Sequence, residues 1–345
     1  MKKGLLIITQ TVNQEDSNLG FFCEWLEALA KEVEAVYVIA QRVGTFALPP
    51  GVTVVSLGAE QGRGRLGQLL VFWRFLFTYL PRVQGVLVHM CPEYVLYGAW
   101  LARVYRRRLG LWYLHPAASW RLKLAAPLVH NLFTAYPGGI PIPSNKVVVT
   151  GHGINGARFI FRERRPPLEQ APLKLLTVGR ISPSKDLLFL IKLVKLLSSS
   201  RAGGARLTIV GAPYLPSDQE YWQTLRRVVL AEGIEGLVVF NGPVSHGRLY
   251  PYYAAADLLV SAARTGLDKA VLEAIFTGLP VVTSNPAFTT MLPPTSRFSA
   301  GDLVAAAEKV RRFPLADYLL VAERIRAEHS LPVTVKKICS QLVPS

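Results

Sequence analysis

Short apolar runs alternate with longer amphipathic ones along the whole chain. In the first half GLLIIT, AVYVIA, GVLVHM, LGLWYLH and KVVVTGH read as strands, with GFFCEWLEALAKEV as a helix between the first two. Beyond residue 172 the strand patterns LKLLTVG, ARLTIVG, GLVVFNG, DLLVSA and LPVVTS are separated by the helical DLLFLIKLVKLLSSS, YWQTLRRVVLAEG and AVLEAIFTG. Strands that are apolar throughout belong in sheets covered on both faces, and strand–helix alternation makes such sheets parallel. The pattern therefore predicts an α/β fold of two doubly wound domains. Between the two series, GARFIFRERRPPLEQAP is dense in charge and proline and lacks apolar periodicity, which reads as an exposed interdomain segment.

A length of 345 residues, half of them apolar, suits two domains of about 100 to 200 residues each. Cys23, Cys91 and Cys339 lie far apart and form no CxxC, so neither a disulfide framework nor a thiolate metal cluster is expected, and a reducing cytoplasm is. GLLII is too short for a signal-peptide core, and LLVFWRFLFTYL, broken by Arg74, falls short of the roughly 20 residues of a membrane span. The region LGQLLVFWRFLFTYLPRV stays open between a core helix and an interfacial one, since basic residues beside Trp, Phe and Tyr suit a membrane surface.

The net charge of +16 is spread over both halves, with 15 basic and 8 acidic residues up to position 150 and 24 and 15 beyond. Such a field favours anionic partners. RRRLG at Arg106–Gly110 is a dense basic cluster but lacks the signature of a nucleic-acid module, and no nucleic acid is expected as a partner.

In parallel sheets ligands sit outside the carboxyl ends of the strands, so the loops there carry the candidates. In VGRISPSKD, Gly179 follows a strand, Ser182 or Ser184 can cap the next helix, and Arg180 and Lys185 bracket the loop. An arginine fork and a mobile ammonium together suit a diphosphate, although solvated turn cations have the same appearance. In ARTGLDKAVLEAIFTGLPVVTSN a turn opens a helix carrying Glu273 between apolar neighbours, where a carboxylate can accept from ribose hydroxyls and helix-start N–H groups can face phosphate. In KVVVTGHGIN, Gly151 and Gly153 flank His152 and allow close backbone approach.

The order GHGIN, VGRISPSKD, LTIVG, FNGPVSH and YYAAADLLVSAARTGLDKAVLEAIFTGLPVV resembles the family 4 retaining glycosyltransferases of the GT-B fold over nearly the whole second half, with weaker matches in the first. The resemblance implies two Rossmann-like domains facing across a cleft. It assigns 1–158 to acceptor binding, 159–172 to a linker, 173–330 to nucleotide-sugar binding, and 331–345 to a helix returning to the first domain. By position, Arg180 and Lys185 match the diphosphate pair, Glu273 the ribose ligand, Gly20 the glycine loop near the donor, and His115 the active-site histidine. Gly179 and Gly266 fall within the donor-binding loops.

One departure stands out. Where the family has the first glutamate of an E-x7-E arrangement, this chain has Thr265, in a TGLDK variant of a bacterial subgroup in which Asp268 or Lys269 takes over contact with sugar or phosphate. The resemblance further implies retention of configuration, no obligatory metal, no cofactor beyond the nucleotide-diphosphate sugar, and a glycan or lipid-linked acceptor in polysaccharide assembly. It also implies a hexosyltransferase in the cytoplasm, at the inner face of the membrane if the interfacial reading of the aromatic helix holds. The chain contains no Asp-x-Asp motif. A dinucleotide-dependent oxidoreductase fares poorly, since the first strand leads to a single Gly20 and no GxGxxG, and AVYVIA ends in Gln41 and Arg42 where an acidic residue is wanted. A catalytically inactive nucleotide-sugar-binding protein on the same scaffold is the other alternative, motivated by Thr265.

Overall fold

The computed structural model describes residues 4–16, 18–264, 266–313 and 315–344. The chain divides into two compact units. One comprises Met1–Asn155 with Ser245–Gly247 and Glu328–Ser345, and the other Gly156–Val244 with Arg248–Ala327. Each is a parallel sheet with helices on both faces.

The first unit is built from β1 (Gly4–Val12), α1 (Phe22–Glu32), β2 (Ala35–Val43), β3 (Val52–Ser56), α2 (Arg65–Tyr79), β4 (Gly85–His89), α3 (Pro92–Val104), β5 (Arg108–Trp112), α4 (Trp120–Ala125), β6 (Asn131–Thr134) and β7 (Val147–Val149). Its seven strands run in the order β3-β2-β1-β4-β5-β6-β7. Because side chains alternate along a strand, Leu6 and Ile8, Val86 and Val88, and Leu109 and Leu111 share one face, where Phe72, Leu76, Val95, Ala99 and Leu122 of α2, α3 and α4 pack on them. The alternate residues His89 and Trp112 point to the other face, against Phe22 and Trp25 of α1.

The second unit contains β8 (Leu173–Val178), α5 (Leu187–Ser200), β9 (Ala205–Val210), α6 (Pro216–Ala231), β10 (Val238–Gly242), α7 (Tyr250–Ala255), β11 (Leu258–Ser261), α8 (Lys269–Phe276), β12 (Val281–Thr283) and α9 (Leu303–Arg312), followed by α10 (Leu315–His329). Strand order is β10-β9-β8-β11-β12, the same winding as in the first unit with two strands fewer. One face is sealed by apolar residues of α5, α6 and α9, and α8 is buried along nearly its whole length.

The last helix, α11 (Leu331–Leu342), lies in the first unit against α1, β4 and β5. A Cβ on Gly85 would sit 2.5 Å from the carbonyl of Leu342, so the glycine is what lets the end of α11 come this close.

The segment 159–172, read from its charge and proline as an exposed linker, is mostly exposed, but it is anchored on the second unit at Phe159 and Arg164. Phe159 is buried edge-on against Tyr253. The Arg164 guanidinium donates to the carbonyls of Tyr253, Ala254 and Ala256, satisfying the open C-terminus of α7, where a cation also meets the negative end of the helix dipole. Burial holds that guanidinium below the usual arginine pKa.

Candidate active site

A doubly wound sheet opens a crevice where the strand order reverses, because the chains leaving two neighbouring strands turn to opposite sides. In the second unit that point lies between β8 and β11. The loops leaving these strands carry Gly179–Asp186 and Ala262–Asp268, and the structure ties the two together. Lys185 Nζ lies 2.7 Å from Asp268 Oδ1, the Arg264 guanidinium 2.6 Å from Asp186 Oδ2, and Arg264 donates its backbone N–H to the carbonyl of Ser184.

Asp268 is the N-cap of α8. Its carboxylate accepts from the Ala270 N–H and from Lys185 at Oδ1, and from the Ser261 hydroxyl at 2.7 Å at Oδ2. Three donors on a buried carboxylate are the condition under which such a charge is tolerated. An ammonium has three donors, of which Asp268 takes one. Gly179 explains how Lys185 reaches this position: its φ of 133° belongs to the glycine region, and a Cβ there would stand 3.1 Å from both Lys185 Cε and Nζ. The lysine lies over a bare backbone.

One turn into α8, Glu273 is buried. Tyr253 donates its hydroxyl to Glu273 Oε2 at 2.6 Å, and Lys269 lies 3.1 Å from Oε1 at helical i,i+4 spacing. Burial and the neighbouring carboxylate push the Tyr253 phenol well above its ordinary pKa, which keeps it a donor. Gly266, at φ 69°, presents its carbonyl to the buried Asn285 side-chain amide.

The structure thus brings Gly179, Lys185, Asp268, Lys269 and Glu273 into one connected region. Arg180 shares the β8 loop but is held differently, its Nε 3.5 Å from Asp218 Oδ2 at the start of α6. Thr265 lies outside the described residues. His115 and Gly20 belong to the first unit. His115 stands three residues past the end of β5, exposed, with its Nδ1 accepting from the Ala117 N–H. Gly20 lies just before α1, where a Cβ would meet the Asp16 and Gln14 carbonyls at 2.6 and 2.7 Å, so the folding of the loop on itself accounts for the glycine.

One local expectation is corrected. Neither Ser182 nor Ser184 caps α5: the two hydroxyls pair with each other at 2.9 Å, Pro183–Lys185 forms a 3-10 turn, and Asp186 stands at the N-cap in the left-handed region with no side-chain cap. Asp186, Arg264, Ser261, Tyr253 and Asp218 escaped the sequence reading. Asp186, Arg264, Ser261 and Tyr253 find their side-chain partners 7 to 78 positions away, whereas Asp218, three residues into a proline-started helix and accepting from the Leu215 N–H, carries a local capping signal. Among the described residues no group of three or more His, Cys, Asp or Glu is placed to hold a metal ion.

Over its whole length the chain is similar in fold to solved GT-B glycosyltransferases. HepE from Anabaena, in complex with UDP and glucose, superposes with a TM-score of 0.74 at 16% identity, covering 99% of each chain. Sucrose-phosphate synthase from Thermosynechococcus elongatus follows at 0.72 and 16%, covering 98% of this chain and 97% of that one. WaaG, a glycosyltransferase involved in lipopolysaccharide biosynthesis, gives 0.69 and 15%, covering 99% and 100%. At these identities the likeness establishes the fold, and the fold is GT-B. More particularly, residues 172–313 match the family model described as Glycosyl transferases group 1, a stretch that contains both loops of the site. No curated protein matches the chain.

Proposed function

We propose that this protein is a retaining, metal-independent glycosyltransferase that moves a hexose from a nucleotide-diphosphate sugar to a glycan or lipid-linked acceptor. The observation that carries the reading is the lysine fixed at the switch point of the second unit, 2.7 Å from the N-cap of α8 and laid over Gly179. As the glycosidic bond lengthens, negative charge grows on the departing diphosphate. Donors already aimed at that position stabilise the charge more than they stabilise the ground state. Lys185 and Arg180 supply two such donors, and protein cations then do the work a divalent ion does elsewhere.

Asp268 has its oxygens engaged by Lys185, Ser261 and Ala270. This fits a positioning residue that orients Lys185 better than a ligand of the transferred sugar, and leaves Lys269 as the candidate for contact with sugar or phosphate. Glu273, oriented by Tyr253 and Lys269, is the ribose ligand in this reading, and Gly266 shapes the loop beside it. In the first unit His115 supports the transferred sugar and Gly20 approaches the donor. HepE binding UDP and glucose, and the involvement of WaaG in lipopolysaccharide biosynthesis, support a nucleotide-sugar donor and a lipid-linked glycan acceptor.

The test is a panel of UDP- and GDP-sugars with lipid-linked and free glycan acceptors, with and without EDTA, reading released nucleoside diphosphate and the anomeric configuration of the product. Turnover with retained configuration that survives EDTA is the expected result. Nucleotide-sugar binding without turnover across the panel would replace this reading with that of a noncatalytic binding protein.

A further inference from the structure

The acidic residues of the first unit are unevenly placed. From Gln61 to Asn155 the chain has eleven basic residues, Arg63, Arg65, Arg74, Arg82, Arg103, Arg106, Arg107, Arg108, Arg121, Lys123 and Lys146, and a single acidic one, Glu93. That stretch contains α2, α3 and α4, which bury their inner faces in one core and therefore lie on the same side of the sheet. Their outer faces carry large apolar side chains that nothing in the described structure covers.

On α2, Leu66, Leu70 and Phe77 recur at i, i+4 and i+11 and form one stripe, with Leu66 72% exposed. Tyr97, Trp100 and Val104 do the same on α3, with Val104 70% and Trp100 50% exposed. The two stripes meet where Phe77 and Trp100 pack edge to face at 6.5 Å, and the indole N–H groups of Trp73 and Trp100 both donate to the Tyr97 carbonyl. On α4, Trp120 is 63% exposed under the Arg121 guanidinium, and Leu124 follows one turn later. Exposed Arg65, Arg74, Arg103, Arg106, Arg121 and Lys123 are interspersed with these side chains.

We infer that this α2–α3–α4 face docks the protein on an anionic lipid bilayer. Three features of the surface select that occupant. Aromatic rings whose edges are polar and long cationic side chains whose stems are apolar both suit the headgroup boundary. The near absence of carboxylates gives the face one sign of charge, complementary to anionic headgroups. The same sign sets one copy against another, which disfavours self-association through this face. The aliphatic Leu66, Leu70, Val104 and Leu124 gain from an acyl layer and have no use against a nucleic acid. The inference stands on surface composition and does not depend on the proposed transfer reaction.

The experiment is co-sedimentation of the full-length protein with vesicles of neutral phosphatidylcholine, or of phosphatidylcholine with about 30% phosphatidylglycerol, at low and high salt. Selective binding to the anionic vesicles is expected, falling steeply with salt because exposed charges are screened beyond about 10 Å at 0.1 M. Phe77→Ser combined with Trp100→Ser, and separately Arg74→Glu combined with Arg103→Glu, should each weaken partitioning about tenfold or more. Arg226→Glu with Arg227→Glu, on the exposed part of α6, should leave it unchanged. All these side chains are on the surface, and circular dichroism of each variant checks that it folds. Binding equal on neutral and anionic vesicles, no vesicle binding, or binding indifferent to both α2–α3 variants overturns the proposal. So does sedimentation showing that the apolar variant abolishes a dimer instead.

Discussion

The two units wind their strands in the same order and reverse it at the same place, between β1 and β4 in one and between β8 and β11 in the other, yet the residues at the two reversals differ in kind. In the second unit the loops there and the start of α8 carry three ion pairs, Lys185 with Asp268, Arg264 with Asp186 and Lys269 with Glu273. In the first, His89 ends β4 stacked on Phe22 with ring centroids 4.1 Å apart, close to Trp112, and its Nδ1 faces the Thr9 hydroxyl at 3.2 Å. Burial pushes that imidazole down to about 3, so it is neutral at physiological pH. Topology creates a crevice in both; among the described residues one is lined by charged groups and the other by aromatic rings, and the charged one is the site proposed above for the diphosphate.

The sharpest way to break this comparison is to remove the ammonium. Lys185→Ala should lower turnover by about 10² to 10³, the usual consequence of losing one preorganised donor to a developing anion. It should also destabilise the second unit by roughly 1–2 kcal/mol, because a buried carboxylate at Asp268 loses a partner while Ser261 and the helix start remain, with solvent access at the lysine side limiting the loss. Initial rates of nucleoside diphosphate release and urea midpoints measure the two effects separately. Near-normal turnover would remove the active site from this loop.

Acid should act on the opposite pole of the comparison. His89 and His329 have folded pKa values of about 3 and about 4, both lowered chiefly by burial from an ordinary 6.5. A histidine with a depressed folded value takes up a proton more readily when unfolded. Stability is therefore full above pH 6.5 and declines as pH falls through the window down to the folded values, at roughly 2 kcal/mol per histidine by pH 5. His89→Phe keeps an aromatic ring against Phe22 but cannot titrate, so it should flatten the acid limb of the denaturation midpoint between pH 7 and 5. An unaltered slope would mean that His89 is not the buried neutral base described above.

The apolar runs made both sheets legible, because strands buried on both faces are written as unbroken Val, Ile and Leu. The misses have physical causes. VTVVS is β3, an edge strand half-buried with a threonine in it, and NLFT is β6, too short to show a period. GARFIFRERRPPLEQAP is mostly exposed as its composition indicates, but within it Arg164 looks like a solvated charge and is instead the cap of α7, a role fixed by carbonyls 89 to 92 positions away. Within the site, Gly179, Arg180, Lys185 and Glu273 stood out by their placement around strand ends and a helix start. The role of Asp268 did not, since its partners Lys185 and Ser261 belong to different loops until the fold joins them.

Gly179 and Gly20 refine the comparison at the smallest scale, since each lies between the first strand and the first helix of its unit. At Gly179 a methyl group meets a strained backbone, φ 133°, and the Lys185 ammonium at 3.1 Å. Gly179→Ala should therefore cost about 1–3 kcal/mol of stability for the conformation alone. It should also displace the lysine and lower kcat, by less than Lys185→Ala does, because the charge is moved and not deleted. At Gly20 the backbone conformation is ordinary and the obstacle is the loop's own carbonyls, so Gly20→Ala should disturb residues 13–21 of the first unit without touching Lys185. Combining each alanine with Lys185→Ala decides the matter. The kcat loss from Gly179→Ala should largely vanish once Lys185 is gone, whereas any effect of Gly20→Ala should persist in full, since coupled residues share an interaction and independent ones add. Additive losses for the Gly179 pair would mean that the glycine serves the loop and not the lysine.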